Sequence, residues 1–168
     1  LDTYERHGLL GPGAMFGHAI WLTDRERARL AEAGATAIHC PTSNTFIGSG
    51  LFDCARAVAG GVGVGLATDT GGGSSFSMLR TMAAAYEIGQ LSGTALHPAQ
   101  AMRRADEIGT LAAGSAADLV VLDLASTPAI AQRAARAETI WESIFPTIVM
   151  GDDRAVAATW IGGRMFEK

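Results

Sequence analysis

The stretch Val62-Gly63-Val64-Gly65-Leu66-Ala67-Thr68-Asp69-Thr70-Gly71-Gly72-Gly73 decides how the chain is read. Its small and β-branched residues predict a strand buried on both faces, and such strands occur mainly where helices cover a parallel sheet. The strand is expected to end on Asp69, with a helix-like run from Ser74 to Leu91 beyond the glycines. That places the Asp69 carboxylate at a strand's C-terminal edge, where ligands and catalytic groups gather in parallel α/β architectures. A purely structural role competes with this reading: an aspartate capping a helix N-terminus, with glycines that only turn the chain.

Working outward, two more strand-then-helix units precede the motif. Ala14 to Ile20 reads as an apolar strand carrying His18, and Thr23-Asp24-Arg25-Glu26 as a capping box that opens a helix to about Ala33. Ala35 to Cys40 is the second strand, followed by a polar loop Pro41-Thr42-Ser43-Asn44 and a helix from Leu51 to Ala59 that stops at Gly60-Gly61. Three consecutive βα units with right-handed crossovers bring three parallel strand ends to one rim. That rim is expected to display His18, Cys40 to Asn44, and Asp69.

Behind the motif the rhythm changes. His97-Pro98-Ala99-Gln100 reads as a short helix start, and residues 108–123 as a turn followed by a buried strand. A helix-like stretch runs from Pro128 to Trp141, and Ala155 to Phe166 reads as a hairpin turning at Gly162-Gly163. These strands lack intervening crossover helices and belong to a small β domain.

Composition narrows the function classes. The 168 residues are 48% hydrophobic and 18% charged, ordinary globular usage with enough apolar content for a core. A net charge of -4 without a basic cluster argues against nucleic acid as a partner. No apolar run reaches membrane length and no signal peptide opens the chain, so a cytoplasmic location away from membranes is expected. The two cysteines, Cys40 and Cys54, match no zinc or redox spacing and suit a reducing compartment. The chain starts at Leu1 and runs directly into patterned sequence, which suggests an excerpt from something longer.

His18 and Asp69 lie two βα units apart, as rim residues two strands apart do in a barrel of roughly 250 residues per eight units. An imidazole and a carboxylate converging on one rim suit zinc or iron, but a zinc site needs at least three protein ligands. His7 lies in the N-terminal lead-in and His97 beside a proline, while His39 is either a core or a loop-orienting residue. The Gly61-Val62-Gly63-Val64-Gly65 run is no dinucleotide fingerprint, because those glycines must follow the strand rather than lie in it. Gly71-Gly72-Gly73 before a helix permits an anion nest, although no lysine follows to make a Walker-type site.

Phe16-Gly17-His18, His39-Cys40-Pro41-Thr42-Ser43-Asn44 and residues 65–80 together resemble the C-terminal half of the amidohydrolase superfamily, and within it the guanine deaminase family most closely. Residues 114–123 are similar to the segment returning from barrel to small β domain, and Met150-Gly151-Asp152-Asp153-Arg154-Ala155-Val156 and Trp160-Ile161-Gly162-Gly163-Arg164 point to the same family. The resemblance implies an α/β fold made of strands 6–8 of a TIM (β/α)8 barrel, residues 1–107, plus part of a small β-sandwich domain with a closing helix, residues 108–168. It implies Zn2+ as cofactor, one per active site, bound on this chain by Asp69. Catalytic roles fall to His18, which assists the water or the purine ring, and to Asp69, which takes a proton from the zinc-activated water. The implied reaction is hydrolytic deamination of guanine to xanthine and ammonia by a homodimer acting on a small purine.

The same resemblance marks what this sequence lacks. The His-x-His pair, a further histidine and a proton-shuttling glutamate of the family have no counterpart here, and the span from Met102 to Gly109 is shortened. With Asp69 as the one expected ligand, the isolated chain is expected to hold no stoichiometric zinc. The competing readings are another aminohydrolase of the superfamily, acting on a nucleoside, triazine or pyrimidine, and a non-catalytic fragment.

Overall fold

The first strand, β1 (Met15–Gly17), is laid down by Ala14 and the apolar residues after it, behind a one-turn lead-in α1 (Asp2–Arg6). The computed structural model describes residues 1–93, 113 and 117–166, which fall into two compact units, Leu1–Arg103 and Arg104–Lys168. In the first unit β1 is followed by α2 (Asp24–Glu32), β2 (Thr36–His39), α3 (Pro41–Phe46), α4 (Cys54–Ala59), β3 (Gly63–Leu66) and α5 (Met78–Leu91).

The three strands form one parallel sheet in the order β1-β2-β3, with Phe16, Ala37 and Val64 in one row. Chain order therefore equals spatial order, as successive right-handed βα units require. The α2 helix starts where the capping box places it: the Thr23 hydroxyl accepts from the Glu26 backbone N–H, and the Glu26 carboxylate accepts from the Thr23 backbone N–H at 2.9 Å. The Thr23 backbone N–H foremost, then the Thr23 hydroxyl and the N-terminal ammonium, donate to the Glu26 carboxylate and hold it down at about 2. Leu30 projects from this helix into a core with Ala35, Ala37, Phe52, Ala57, Val62 and Val64. Burying a leucine of this kind contributes about 1.5–3 kcal/mol.

Several sequence expectations are corrected. Val62 and Val64 are buried on one face of β3, but Gly63 and Gly65 on the other are only half-buried, so within this unit the two faces are not equally covered. The strand ends at Leu66 rather than at Asp69, because Ala67 makes the last backbone hydrogen bond, to the His39 carbonyl, and the chain then turns away. Pro41-Thr42-Ser43-Asn44 is a buried helix and not a polar loop. Pro41 sits at its first turn, where a missing N–H costs nothing, and the Thr45 hydroxyl donates to the Pro41 carbonyl at 2.9 Å.

The second unit contains β4 (Leu119–Leu122), α6 (Pro128–Ala134), α7 (Ile140–Met150), a 3-10 turn (Asp153–Ala155), β5 (Val156–Ile161) and β6 (Arg164–Phe166). Its antiparallel sheet has the order β4-β5-β6. The hairpin turns at Gly162 (φ 55°) and Gly163 (φ 77°), as a two-residue turn with both central residues left-handed demands. The expected buried strand at β4 is instead exposed at Leu119, Val120 and Val121, and among the described residues it pairs with β5 alone. The single helix expected from Pro128 to Trp141 is two helices. Thr139 adopts an extended backbone and caps a fresh start by accepting from the Glu142 N–H, which interrupts the first helix after Ala134. The expected short helix at His97 and the turn at residues 108–112 lie outside the described residues. Among the described residues no helix is long and apolar enough to cross a membrane.

Candidate active site at the parallel-strand edge

Beyond the C-terminal ends of β1, β2 and β3 the backbone leaves ordinary geometry. Among the described non-glycine residues, positive φ occurs at His18 (64°), Ala19 (48°) and Asp69 (47°). Each such residue costs roughly 1–2 kcal/mol, a strain that persists where surrounding contacts over-determine it and that clusters at functional sites. Here the contacts are explicit. The His18 N–H donates to the Ile38 carbonyl at 2.9 Å, which anchors the turn leaving β1 to the middle strand. The Gly73 N–H donates to the Asp69 carbonyl at 2.5 Å, which closes the turn that carries the carboxylate.

The strained turns bring the two side chains together: His18 Nε2 lies 3.6 Å from Asp69 Oδ2, with both groups about 40% exposed. The other ring nitrogen, Nδ1, is 2.7 Å from Asn44 Oδ1. With the Asn44 oxygen accepting, Nδ1 donates and Nε2 is the ring nitrogen that faces the Asp69 carboxylate. The 3.6 Å between Nε2 and Oδ2 brings an imidazole nitrogen and a carboxylate oxygen to one point at the sheet edge.

The α3 helix is the wall of this site. Asn44 is buried and held by the fold at both ends, its N–H donating to the Cys40 carbonyl and its own carbonyl accepting from Ser49 N–H. Thr42 Oγ1 donates to the Thr68 carbonyl at 3.3 Å, tying the wall to the residue before Asp69. Glycine is required opposite. A Cβ at Gly72 would meet Ser43 Oγ at 2.6 Å and Asp69 Oδ2 at 3.2 Å, and one at Gly73 would clash with the Thr68 carbonyl oxygen. The glycines thus serve close approach to the Asp69 turn. They do not open a helix as an anion nest would: α5 begins at Met78, capped by the Ser77 hydroxyl accepting from Arg80 N–H.

The remaining histidines separate clearly. His39 is buried, its ring stacked on Phe52 with centroids 4.9 Å apart, and burial pushes its pKa down to about 4. It is a neutral core residue. His7 ends the exposed lead-in helix, and His97 lies outside the described residues.

Cys40 joins the pair. His18, Cys40 and Asp69 each offer one donor atom, and the three atoms lie within 4.8 Å of one another. Burial pushes the Cys40 thiol pKa up, the His18 backbone N–H opposes this, and the Asp69 charge adds to it. The donor set of one imidazole nitrogen, one thiol sulfur and one carboxylate oxygen fits zinc. A sequence model of the amidohydrolase family matches residues 1–166.

The chain belongs to the amidohydrolase family.

Within that family it is 35% identical over 176 residues to the guanine deaminase of Escherichia coli strain K12, covering 98% of this chain and 40% of that enzyme. It is 36% identical over 177 residues to a probable guanine deaminase of Deinococcus radiodurans, covering 97% of this chain and 40% of that protein. The solved structure of E. coli guanine deaminase superposes with a TM-score of 0.89 at 34% identity, over 99% of this chain and 42% of that one. The chain spans about two fifths of the length of these relatives. Sequence reasoning placed residues 40–44 on the rim but gave no role to Cys40 or Asn44. The available signal was their position immediately after a parallel strand. Cysteine spacing carried none, because His18 and Asp69, which lie near Cys40, come from two other strand ends.

Proposed function

We propose that this chain carries the C-terminal part of the active site of a guanine deaminase, which hydrolyses guanine to xanthine and ammonia. The observation that carries the proposal is the approach of His18 Nε2 to Asp69 Oδ2, 3.6 Å apart on strained turns at one edge of a parallel sheet. In this reading residues 1–107 are strands 6–8 of a (β/α)8 barrel with their helices, and residues 108–168 are a share of a small β-sandwich domain. Further zinc ligands come from earlier barrel strands in the assembled enzyme, a cytoplasmic homodimer that binds no nucleic acid or membrane.

Zinc, when bound, lowers the pKa of a coordinated water toward neutrality and polarises what it touches. Asp69 would hold the ion, and its carboxylate would take a proton from the attacking water and return it to the amine that leaves as ammonia. His18, its tautomer set by Asn44, uses Nε2 to orient the water and the purine ring. The buried Ser43 Oγ and Asn44 Nδ2, which lack partners among the described residues, add polar capacity beside them.

The test is ammonia release by an enzyme containing this chain. Guanine should be turned over with a kcat/KM at least about tenfold above that for adenine, cytosine or adenosine, about 1.4 kcal/mol of transition-state discrimination. Preference for a nucleoside, a triazine or a pyrimidine would reassign the substrate within the family.

A further inference from the structure

We infer that α3 is a bracket that sets the distance between His18 and Asp69, with Asn44 and Thr42 as its two positioning residues; this rests on the roles proposed for that pair. Strand order puts the helix between them. α3 (Pro41–Phe46) follows β2, the middle strand of the parallel sheet, whereas His18 follows β1 and Asp69 follows β3. Thr42 and Asn44 lie two residues apart, roughly 200° around a helix at about 100° per residue, so they project to opposite sides. On one side Asn44 Oδ1 accepts from His18 Nδ1 at 2.7 Å. On the other Thr42 Oγ1 donates to the carbonyl of Thr68, the residue before Asp69, at 3.3 Å.

The bracket is itself held fast. α3 is buried from Pro41 to Asn44, the Asn44 backbone N–H and carbonyl are both engaged, and the helix packs against α5. Stability alone does not account for this burial. Ser43 Oγ and Asn44 Nδ2 are enclosed without partners among the described residues, a cost that apolar side chains in the same places would avoid. The two flanking turns are strained, with positive φ at His18, Ala19 and Asp69, so neither holds its side chain through its own backbone preference. The constraint comes from α3. His18 and Asp69 act on one water and one ring, and a misplacement of about 1 Å can lower turnover by roughly 10²-fold. Neither Asn44 nor Thr42 touches substrate in this reading, so losing either contact should lower kcat and spare KM.

The experiment compares variants in an enzyme containing this chain. Asn44→Leu removes the acceptor and Thr42→Val the hydroxyl at nearly constant volume, while Asn44→Asp and Thr42→Ser keep them. Asn44→Leu should lower kcat for guanine at least about tenfold with KM within about threefold, and Thr42→Val should lower kcat about threefold. Both conservative variants should recover most of the loss. In a His18→Ala background Asn44→Leu should cost less than about twofold, because its effect passes through the imidazole. A crystal structure of Asn44→Leu should show the His18–Asp69 separation widened from 3.6 Å. No loss in Asn44→Leu, an equal loss with and without His18, or an unmoved imidazole would each overturn the inference. Should Asn44→Leu fail to fold, the Thr42 pair decides, and a loss of kcat in Thr42→Val that Thr42→Ser shares would count against the bracket. A displaced imidazole in an enzyme that does not turn over guanine would sink the substrate reading alone.

Discussion

The rim of the parallel sheet and the antiparallel sheet of the second unit invert the usual division of residues between inside and outside. At the rim, polar side chains are buried: His39, Thr42, Ser43 and Asn44 are at most 4% exposed, and His39 Nδ1, Ser43 Oγ and Asn44 Nδ2 lack partners among the described residues. In the antiparallel sheet, apolar side chains are exposed, with Leu119, Val120, Val121, Ile161, Met165 and Phe166 all open. An unpartnered buried polar atom costs about 1–3 kcal/mol, so it persists where a ligand, ion or water uses it. An exposed valine carries no comparable penalty and marks surface that other material can cover. The difference separates a part of the chain organised around chemistry from one organised around packing.

The largest expected effect tests the rim. Asp69→Ala should lower kcat/KM for guanine about 10³-fold in an enzyme containing this chain, since it removes both a proton acceptor and a ligand. Steady-state ammonia release measures it, and a loss below tenfold would make the carboxylate peripheral. Next comes the core behind the rim. Leu30, fully buried, should cost about 2–5 kcal/mol on truncation to alanine, measured by urea unfolding.

A smaller effect follows from His39. Its folded pKa of about 4 lies below the 6.5 of a solvent-exposed imidazole, so the unfolded chain binds the extra proton first. The stability it contributes is complete above pH 6.5 and is lost as pH falls toward 4, by up to about 1.4 kcal/mol per pH unit. His39→Phe should flatten that part of the stability profile, whereas the steeper loss from carboxylates such as Glu26 remains at lower pH. An unchanged profile between pH 6.5 and 4 would mean that the imidazole finds a partner when charged. The smallest effect belongs to the antiparallel sheet: Val120→Thr should change unfolding free energy by less than about 0.5 kcal/mol. A loss of several kcal/mol there would show the exposed face to be covered in solution.

Much of this architecture was legible because local signals agreed with the global fold. The Thr23 to Glu26 capping box, the Gly162-Gly163 turn and the order of the three βα units each follow from short-range chemistry. The misreadings have a common cause in contacts distant in sequence. Pro41 to Asn44 looks like a loop by composition, yet Thr42 bonds to Thr68 and Asn44 to His18, which hold the segment as a buried helix. The strand toward Asp69 looks longer than it is, because the turn is closed by Gly73 and not by any residue of the apolar run. For the site, His18 and Asp69 were legible as strand-end residues. Cys40 was not, since its nearness to them depends on the bend at the end of β2.

The account stands on His18 and Asp69 acting at one site, and a double-mutant cycle on guanine turnover tests that directly. His18→Ala and Asp69→Ala, alone and together, are compared by kcat/KM in an enzyme containing this chain. Residues that act as a unit give strongly non-additive losses, so the double variant should be within about threefold of the Asp69→Ala single variant. Losses that multiply, with the double variant falling by the product of the two singles, would contradict a shared site.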